Sequence, residues 1–183
     1  MADGTGSTKQ RPAPRASGVK VGDTVVYAAH GIGTIVAREQ NSVAGTEREC
    51  VVVELAAGLR VTLSLDDAAS RLRPVADPAE LDRVGVMLAE TGFERDGSWT
   101  RRIRDSKAKL ASGRPGDLAE IVRDGADRER SAPNGRLSDG ERRVYLKARE
   151  LLVSEICAAR QVDVDQADGW IDAQMGSIDG NED

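Results

Sequence analysis

The sequence predicts an α+β protein in which a small antiparallel β-sheet precedes an all-helical segment. Three observations predict this class. Short β-branched runs separated by turn residues fill the stretch from Val19 to Val75. After Pro74 these runs stop, and apolar residues recur at helical spacing nearly to the end of the chain. The separators between the β-type runs are too short for crossover connections, so neighbouring strands should pair antiparallel.

Four strands are expected in the first part of the chain. They are Thr24 to Tyr27, Gly33 to Glu39, Glu49 to Leu55 and Arg60 to Leu65. The turns between them fall at His30-Gly31, Asn41 to Gly45 and Ala57-Gly58, where residues typical of turns cluster. A small twisted meander or half-open barrel over residues 19–75 follows from this pattern.

Residues 76–175 are expected to form a separate helical domain. Pro78 opens the first helix and Gly92 closes it. Ser98 is a candidate N-cap for a second helix, which runs to about Ser112 and stops at Gly113.

The later helices have clear start signals but one weak interior position. A helix marked by Leu118 should fray near Gly125, because glycine costs about 1 kcal/mol relative to alanine in a helix. Residues 131–135 are expected to form a loop. Ser138 and Glu141 form a capping box for the next helix, and a last short helix is expected around Trp170.

The two ends of the chain differ from its middle in composition and charge. Residues 1–18 have no hydrophobic period and are expected to be disordered. Residues 176–183 form an acidic tail, also expected to be disordered. Residues 161–183 contain seven acids and no Lys or Arg, so the net charge of −5 leaves +2 on residues 1–160. An acidic chain average therefore does not exclude nucleic acid as a partner.

Composition argues against several other classes of protein. No apolar run approaches the roughly 20 residues that a membrane helix needs, and no apolar segment follows the basic N-terminus as in a secretory signal, so we expect a cytoplasmic protein. Cys50 and Cys157 match neither redox nor zinc spacing and are expected to be reduced, buried thiols.

Catalytic and metal sites are hard to place in this sequence. His30 is the only histidine, and its Gly-rich surroundings favour a turn, since no helix follows to bind a phosphate. The acids near Asp165 lack the glycine and distal glutamate of a calcium loop. We therefore expect no catalytic residue, no metal, no cofactor and no small-molecule substrate. A small hydrolase that uses His30 or Cys50 stays open as an alternative, as does a purely structural adaptor.

One basic segment stands out. The six bases between Arg95 and Lys109 face only two acids, a local charge of +4. On a helix that starts at Ser98, Arg101, Arg104 and Lys107 share one flank, and this flank can follow a phosphate backbone. Trp99 lies beside it in the first turn after Ser98, where we expect the ring to be at least partly exposed and able to stack on an unpaired base. The alternative from spacing alone is that Trp99 belongs to the core stripe of the same helix.

Several motifs in order resemble the CarD/CdnL family, most of all its actinobacterial members. They are Lys20-Val-Gly-Asp-Thr-Val-Val-Tyr27 with His30-Gly31, Trp99-Thr-Arg-Arg102, Lys109-Leu-Ala-Ser-Gly113, Leu118 to Asp124, and Leu137 to Arg143 with Lys147-Ala-Arg149. The resemblance covers roughly Val19 to Ala159. It implies a Tudor-like β domain that docks on the RNA polymerase β subunit, and a helical domain that contacts promoter DNA, largely independently of sequence, at the upstream edge of the transcription bubble.

The resemblance also implies roles for individual residues. The family's tryptophan wedge falls on Trp99 and its basic DNA contacts on Arg101, Arg102 and Arg104, with Lys147 a weaker candidate. Polymerase docking falls on Gly33 to Asn41 and Arg60 to Leu65. The candidate docking residues are Thr34, Val36, Arg38, Asn41, Arg60, Thr62 and Leu63. Close relatives carry arginines where this chain has Asn41 and Leu63, so the docking contact is expected to differ.

The function that follows is a regulator that modulates the stability of the open promoter complex. The alternative is a freestanding polymerase-binding adaptor, related to a module of the transcription-repair coupling factor and without direct DNA contact.

Overall fold

The computed structural model describes residues 19–43, 46–91, 98–131 and 136–176. Residues 1–18, Gly92, residues 132–135 and residues 177–183 lie outside this part of the chain, and so do the expectations that concern them. Ser131 and Gly176, expected in a loop and in the acidic tail, are instead the last residues of helices.

A five-stranded antiparallel sheet occupies the first half of the chain. Its strands are β1 (Thr24–Tyr27), β2 (Gly31–Val43), β3 (Thr46–Leu55), β4 (Arg60–Ser64) and β5 (Leu72–Pro74). They are arranged in the order β4-β3-β2-β1-β5. Strands β1 to β4 therefore form the predicted meander, and β5 returns to pair with the free side of β1.

The sheet departs from the sequence prediction at its turns and at its end. Gly31 and Asn41, expected in turns, belong to β2, which with β3 forms a longer hairpin than predicted. Helix α1 (Leu65–Arg71) and strand β5 were not predicted. A sequence signal for α1 was present in Ser64, since serine is a preferred N-cap residue. In the structure the Ser64 hydroxyl accepts a hydrogen bond from the Asp67 backbone N–H and caps the helix.

In the described ranges five further helices follow the sheet, which confirms the α+β class. They are α2 (Pro78–Ala89), α3 (Trp99–Ser112), α4 (Pro115–Ser131), α5 (Asp139–Arg160) and α6 (Val164–Gly176). The predicted boundary signals at three residues are confirmed. Pro78 is the first residue of α2, Gly113 ends α3 in the left-handed conformation with a φ of 61°, and Ser138 forms a capping box with Glu141 at the start of α5.

The expectation that the helix frays near Gly125 is wrong. Gly125 is buried within α4, which continues to Ser131. A β-carbon at Gly125 would lie 2.4 Å from Cδ2 of Tyr145. The glycine therefore allows α5 to approach α4 closely, and this packing outweighs its low helix propensity.

The described residues form two apolar clusters in the interior. One lies in the sheet and includes Ile35 and Val53, and the other lies between the helices and includes Leu118 and Leu152. The cysteines follow the prediction only in part: both are free, but Cys157 is half-buried, whereas Cys50 is buried within strand β3 of the sheet.

Candidate nucleic-acid interface and polymerase-docking edge

Helix α3 lies on the surface of the helical part. None of its residues is fully buried, although Ile103 and Leu110 pack against the helical core. Ser98 occupies the N-cap position, but its side chain makes no capping hydrogen bond. Its backbone carbonyl instead accepts hydrogen bonds from the N–H groups of Arg101 and Arg102.

Trp99 lies in the first turn of α3, outside both apolar clusters. Its side chain is among the exposed large hydrophobic groups, with the residue 50% exposed. Its indole Nε1 donates a hydrogen bond of 3.3 Å to the Ser138 hydroxyl at the start of α5. The prediction that this tryptophan is at least partly exposed is confirmed, and the alternative that it belongs to the core stripe is wrong.

The three predicted arginines of α3 do not share one environment. The side chains of Arg101 and Arg104 are 60% and 76% exposed, and each lies within 4.0 Å of Asp105. Exposed pairs of this kind contribute little to stability and exchange readily for other anions. Arg102 is half-buried and turned toward α5, where its charge acts on Glu141.

Glu141 stabilises the first turn of α5 next to the hydroxyl group that Trp99 contacts. Its carboxylate accepts hydrogen bonds from the Ser138 hydroxyl and from Arg128, each at 2.7 Å. Burial alone would raise the pKa of Glu141, but the hydrogen bond from Ser138 and the charges of Arg128 and Arg102 lower it below its ordinary value. The carboxylate therefore stays ionised and fixes the hydroxyl that contacts the indole.

Lys147 is not brought close to Trp99. It lies nine residues after Ser138 on α5, about 13 Å along the helix axis, and forms an ion pair of 2.9 Å with Glu150. Two other bases, Arg142 and Arg143, are exposed one turn after Ser138. Sequence reasoning did not select them as site residues, although their position just after a capping box next to Trp99 in the fold makes them the better candidates.

The predicted docking residues of β4 lie at an edge of the sheet. Strand β4 pairs only with β3, so its other side carries no strand neighbour among the described residues. The side chains of Arg60 and Thr62 are exposed, and Arg60 pairs with Glu54 at 3.1 Å. Leu63 is only 5% exposed and belongs to the sheet core. Its side chain packs into the sheet, while its backbone lies at the edge.

The predicted docking residues of β2 lie on an inner strand. Strand β1 pairs with β2 as far as Thr34, and beyond that residue β2 pairs with β3 alone among the strands that the structure describes. Thr34 is exposed and shares a cross-strand row with Glu54 and Arg60, whereas Val36 is half-buried at a bulge.

The remaining two candidates lie further along the β2–β3 hairpin. Arg38 is half-exposed and pairs with Glu49 of β3 at 2.9 Å. Asn41 is half-exposed and stands opposite Arg48. The docking candidates therefore form two stretches on either side of β3, with Thr34 and Arg60 in one cross-strand row and Arg38 and Leu63 in another.

The groups considered for catalysis have other surroundings in the structure. The His30 ring stacks on Tyr27 with ring centroids 4.6 Å apart, in the 3₁₀ turn Ala28–His30. Burial, together with the charge of Asp163, raises the pKa of the Cys157 thiol, which disfavours the nucleophilic thiolate.

Within the described ranges, no group of three or more His, Cys, Asp or Glu side chains is placed to hold a metal ion. In the same ranges no helix has both the length and the apolar character to cross a membrane.

Comparisons with known proteins match both halves of the chain in order. A model of the CarD-like/TRCF RID domain matches residues 19–76, and a model of the CarD C-terminal domain matches residues 83–172. The Bacillus subtilis (strain 168) protein named "Putative transcription factor YdeB" is 26% identical over 140 residues, which cover 75% of this chain and 89% of the relative. With the β-sheet and the helical part each matched by the corresponding domain model, the chain belongs to the CarD/CdnL family of transcription regulators.

Proposed function

We propose that this protein binds the RNA polymerase β subunit through its β-sheet and contacts promoter DNA through α3, and that it thereby modulates the stability of the open complex. The observation that carries the proposal is the half-exposed Trp99 at the first turn of α3, flanked by the exposed Arg101 and Arg104. An aromatic ring beside mobile cations suits the junction between paired and unpaired DNA, where a base can stack and phosphates lie nearby.

The DNA contact is expected to be largely independent of sequence. The basic groups around Trp99 are arginines on the surfaces of α3 and α5, which suit phosphate contacts. Arg142 and Arg143 extend this positive surface from α3 to the first turns of α5. Arg102 and Lys147 contribute less, because the first faces Glu141 and the second pairs with Glu150.

The polymerase contact is supported by the match to the CarD-like/TRCF RID domain and by the open edge of β4. An unpaired strand edge can accept a strand of a partner protein, with main-chain hydrogen bonds for affinity and side chains for specificity. Arg60 and Thr62 supply the exposed side chains there, while the buried Leu63 keeps β4 attached to the sheet core.

Charge reversal on the docking edge tests the proposal. In a pull-down with purified RNA polymerase, Arg60→Glu combined with Thr62→Glu should abolish retention of the full chain and its effect on open-complex lifetime. Arg83→Glu is a matched control, since it reverses an exposed charge on α2 away from the edge. Equal retention of both variants would contradict docking through β4.

A second candidate function is a polymerase-bound adaptor without DNA contact. It is favoured by Asp105, which lies beside both Arg101 and Arg104 and partly neutralises them. Retention of the protein on duplex DNA, measured as a function of salt, separates the two functions. A steep loss of affinity with salt supports phosphate contact, whereas no measurable binding at low salt supports the adaptor.

A further inference from the structure

An ion pair between a buried glutamate and an arginine whose side chain is 24% exposed joins the sheet to the helical part. Glu155, in the middle of α5, is 1% exposed, and its two carboxylate oxygens accept hydrogen bonds of 2.5 and 2.7 Å from the guanidinium group of Arg73 on β5. The same carboxylate accepts the backbone N–H of Ala76 at 3.0 Å. These contacts connect residues about 80 positions apart in sequence, so they determine how the two parts meet.

Arg73 also reaches the end of α3. Its guanidinium donates a hydrogen bond of 2.5 Å to the carbonyl of Gly113, which ends that helix. At Gly113 a β-carbon would lie 2.5 Å from the backbone of Ala28, in the turn between β1 and β2. The C-terminal end of α3 is therefore pressed against the sheet, and Arg73 is hydrogen-bonded to it.

Because α3 is rigid, the contact of its Gly113 end with the sheet also determines the position of its other end, which is proposed to contact DNA. Its 14 residues span about 20 Å, with Gly113 following one end and Trp99 at the other. A small rotation at Gly113 would move the indole by several ångströms relative to the edge of β4. The orientation of α3 on the sheet thus decides where Trp99 lies when the sheet is docked.

Stability alone is a weak reason for such a buried ion pair. Removing two charges from water is costly, and apolar replacements for buried pairs are often as stable or more stable. What an apolar contact lacks is direction: the bidentate geometry between Arg73 and Glu155 permits one arrangement of sheet and helix.

We propose that Arg73 and Glu155 are positioning residues that fix the angle between the polymerase-docking sheet and α3, so that docking delivers Trp99 to one place on the DNA. This inference rests on the proposed function. Neither residue needs to contact polymerase or DNA, since both act through the geometry of the two parts.

The test uses the full chain with Arg73→Met combined with Glu155→Gln. The double variant leaves no unpaired buried charge, and the glutamine can still accept the N–H of Ala76. The control is Arg149→Met combined with Asp168→Asn, which removes the two ion pairs of Arg149 that join α5 to Asp168 and to the exposed Asp172 of α6 instead of to the sheet. Thermal melting first establishes that both variants fold.

Binding to polymerase alone, binding to DNA alone and the lifetime of the open complex are then compared between the variants. The Arg73–Glu155 variant should keep the affinity of the wild type for polymerase alone and for DNA alone, but should shorten open-complex lifetime by about five- to a hundredfold, the range for a lost base stack. The loss should disappear in a Trp99→Ala background, because there is no longer a ring to position. An unchanged lifetime, an equal loss in the control, or a full loss in the Trp99→Ala background would overturn the proposal.

A distance measurement tests the geometry independently of function. Spin labels on Thr62→Cys and Arg104→Cys, in a Cys157→Ser background that leaves only the buried Cys50, report the separation of β4 and α3. A single narrow distance should broaden in the Arg73–Glu155 variant and stay narrow in the control. An unchanged distribution would overturn the positioning role. Failure of the wild type to bind polymerase or DNA would instead overturn the proposed function and leave this geometric test valid.

Discussion

The indole of Trp99 is anchored to the hydroxyl of Ser138 across 39 residues of sequence, by a hydrogen bond of 3.3 Å. Ser138 is also the N-cap of α5 and donates to Glu141, so the ring is tied to the start of the longest helix in the described structure. A side chain that is half exposed and yet oriented is suited to stacking, because less conformational freedom is lost when it binds.

We expect Trp99→Ala to shorten open-complex lifetime by about five- to a hundredfold, since stacking on a base is worth about 1–3 kcal/mol by alanine substitution. Folding stability should change little, because the ring lies outside the core. Trp170→Ala is the matched control: that ring packs against the helical core beneath Arg160. It should lower the melting temperature while leaving complex decay per folded molecule unchanged. A large loss of melting temperature for Trp99→Ala with unchanged decay would contradict this assignment.

Ser138→Ala should affect both stability and DNA contact. Loss of a serine cap costs about 0.5–2 kcal/mol, and the indole of Trp99 loses its hydrogen-bond acceptor at the same time. Ser138→Thr retains a hydroxyl and should therefore keep most of the stability and most of the DNA contact. Melting curves and open-complex decay, measured together, would contradict the anchoring role if alanine lowered stability without any effect on decay.

The sequence predicted the fold well where local signals decided it. The caps at Ser138 and Gly113 depend on residues next to each other in sequence, and both are observed. Strand β5 was missed because three residues carry no periodicity, and its pairing with β1 depends on a return of the chain that no local pattern encodes.

The candidate site was predictable in part for the same reason. The position of Trp99 after Ser98 indicated an exposed ring at a helix start. Its partner Ser138, the inward direction of Arg102 and the buried face of Leu63 depend on which helix or strand packs alongside. Likewise Gly125 signalled a weak helix in sequence, and only its contact with Tyr145 explains it.

Two glycine-to-alanine substitutions should change the free energy of unfolding in opposite directions. Gly125→Ala places a β-carbon 2.4 Å from Tyr145, so overpacking of about 1–3 kcal/mol should exceed the gain in helix propensity. Gly140→Ala, in the first turn of α5, meets no atom within 4 Å and should stabilise by up to about 1 kcal/mol. Chemical denaturation measures both. Stabilisation by Gly125→Ala would show that the two helices can separate without cost.

The lowered pKa of Glu141 predicts a pH-dependent contribution to stability. A carboxyl whose pKa is lower in the folded than in the unfolded protein stabilises the fold above its ordinary pKa of 4.5, and this contribution is lost as the pH falls through the folded value. The difference in melting temperature between the wild type and Glu141→Gln should therefore be largest near neutral pH and shrink below 4.5. A difference that stays constant through this range would show that the ionised form is not favoured.

Changing the arginines of α3 to glutamine should have two different results. Some substitutions should alter the salt dependence of DNA binding, and another should alter the melting temperature. Arg101 and Arg104 are exposed, and Asp105 is their ion-pair partner among the described residues, so they can move onto phosphates. Each duplex phosphate contact contributes about 0.9 to the slope of log affinity against log salt, so the double variant Arg101→Gln/Arg104→Gln should flatten that slope by up to about 1.8. Melting temperature should barely change, because exposed pairs contribute little to stability.

Arg102→Gln removes the same charge from the same helix and serves as the control. Its side chain is half-buried beside Glu141, so the substitution should lower the melting temperature and leave the salt slope nearly unchanged. Binding to a duplex at a series of salt concentrations, beside a melting curve for each variant, measures both effects. An equal reduction of slope by Arg102→Gln would mean that this side chain turns outward on DNA, and that the basic surface of α3 is broader than its orientation in the free protein indicates.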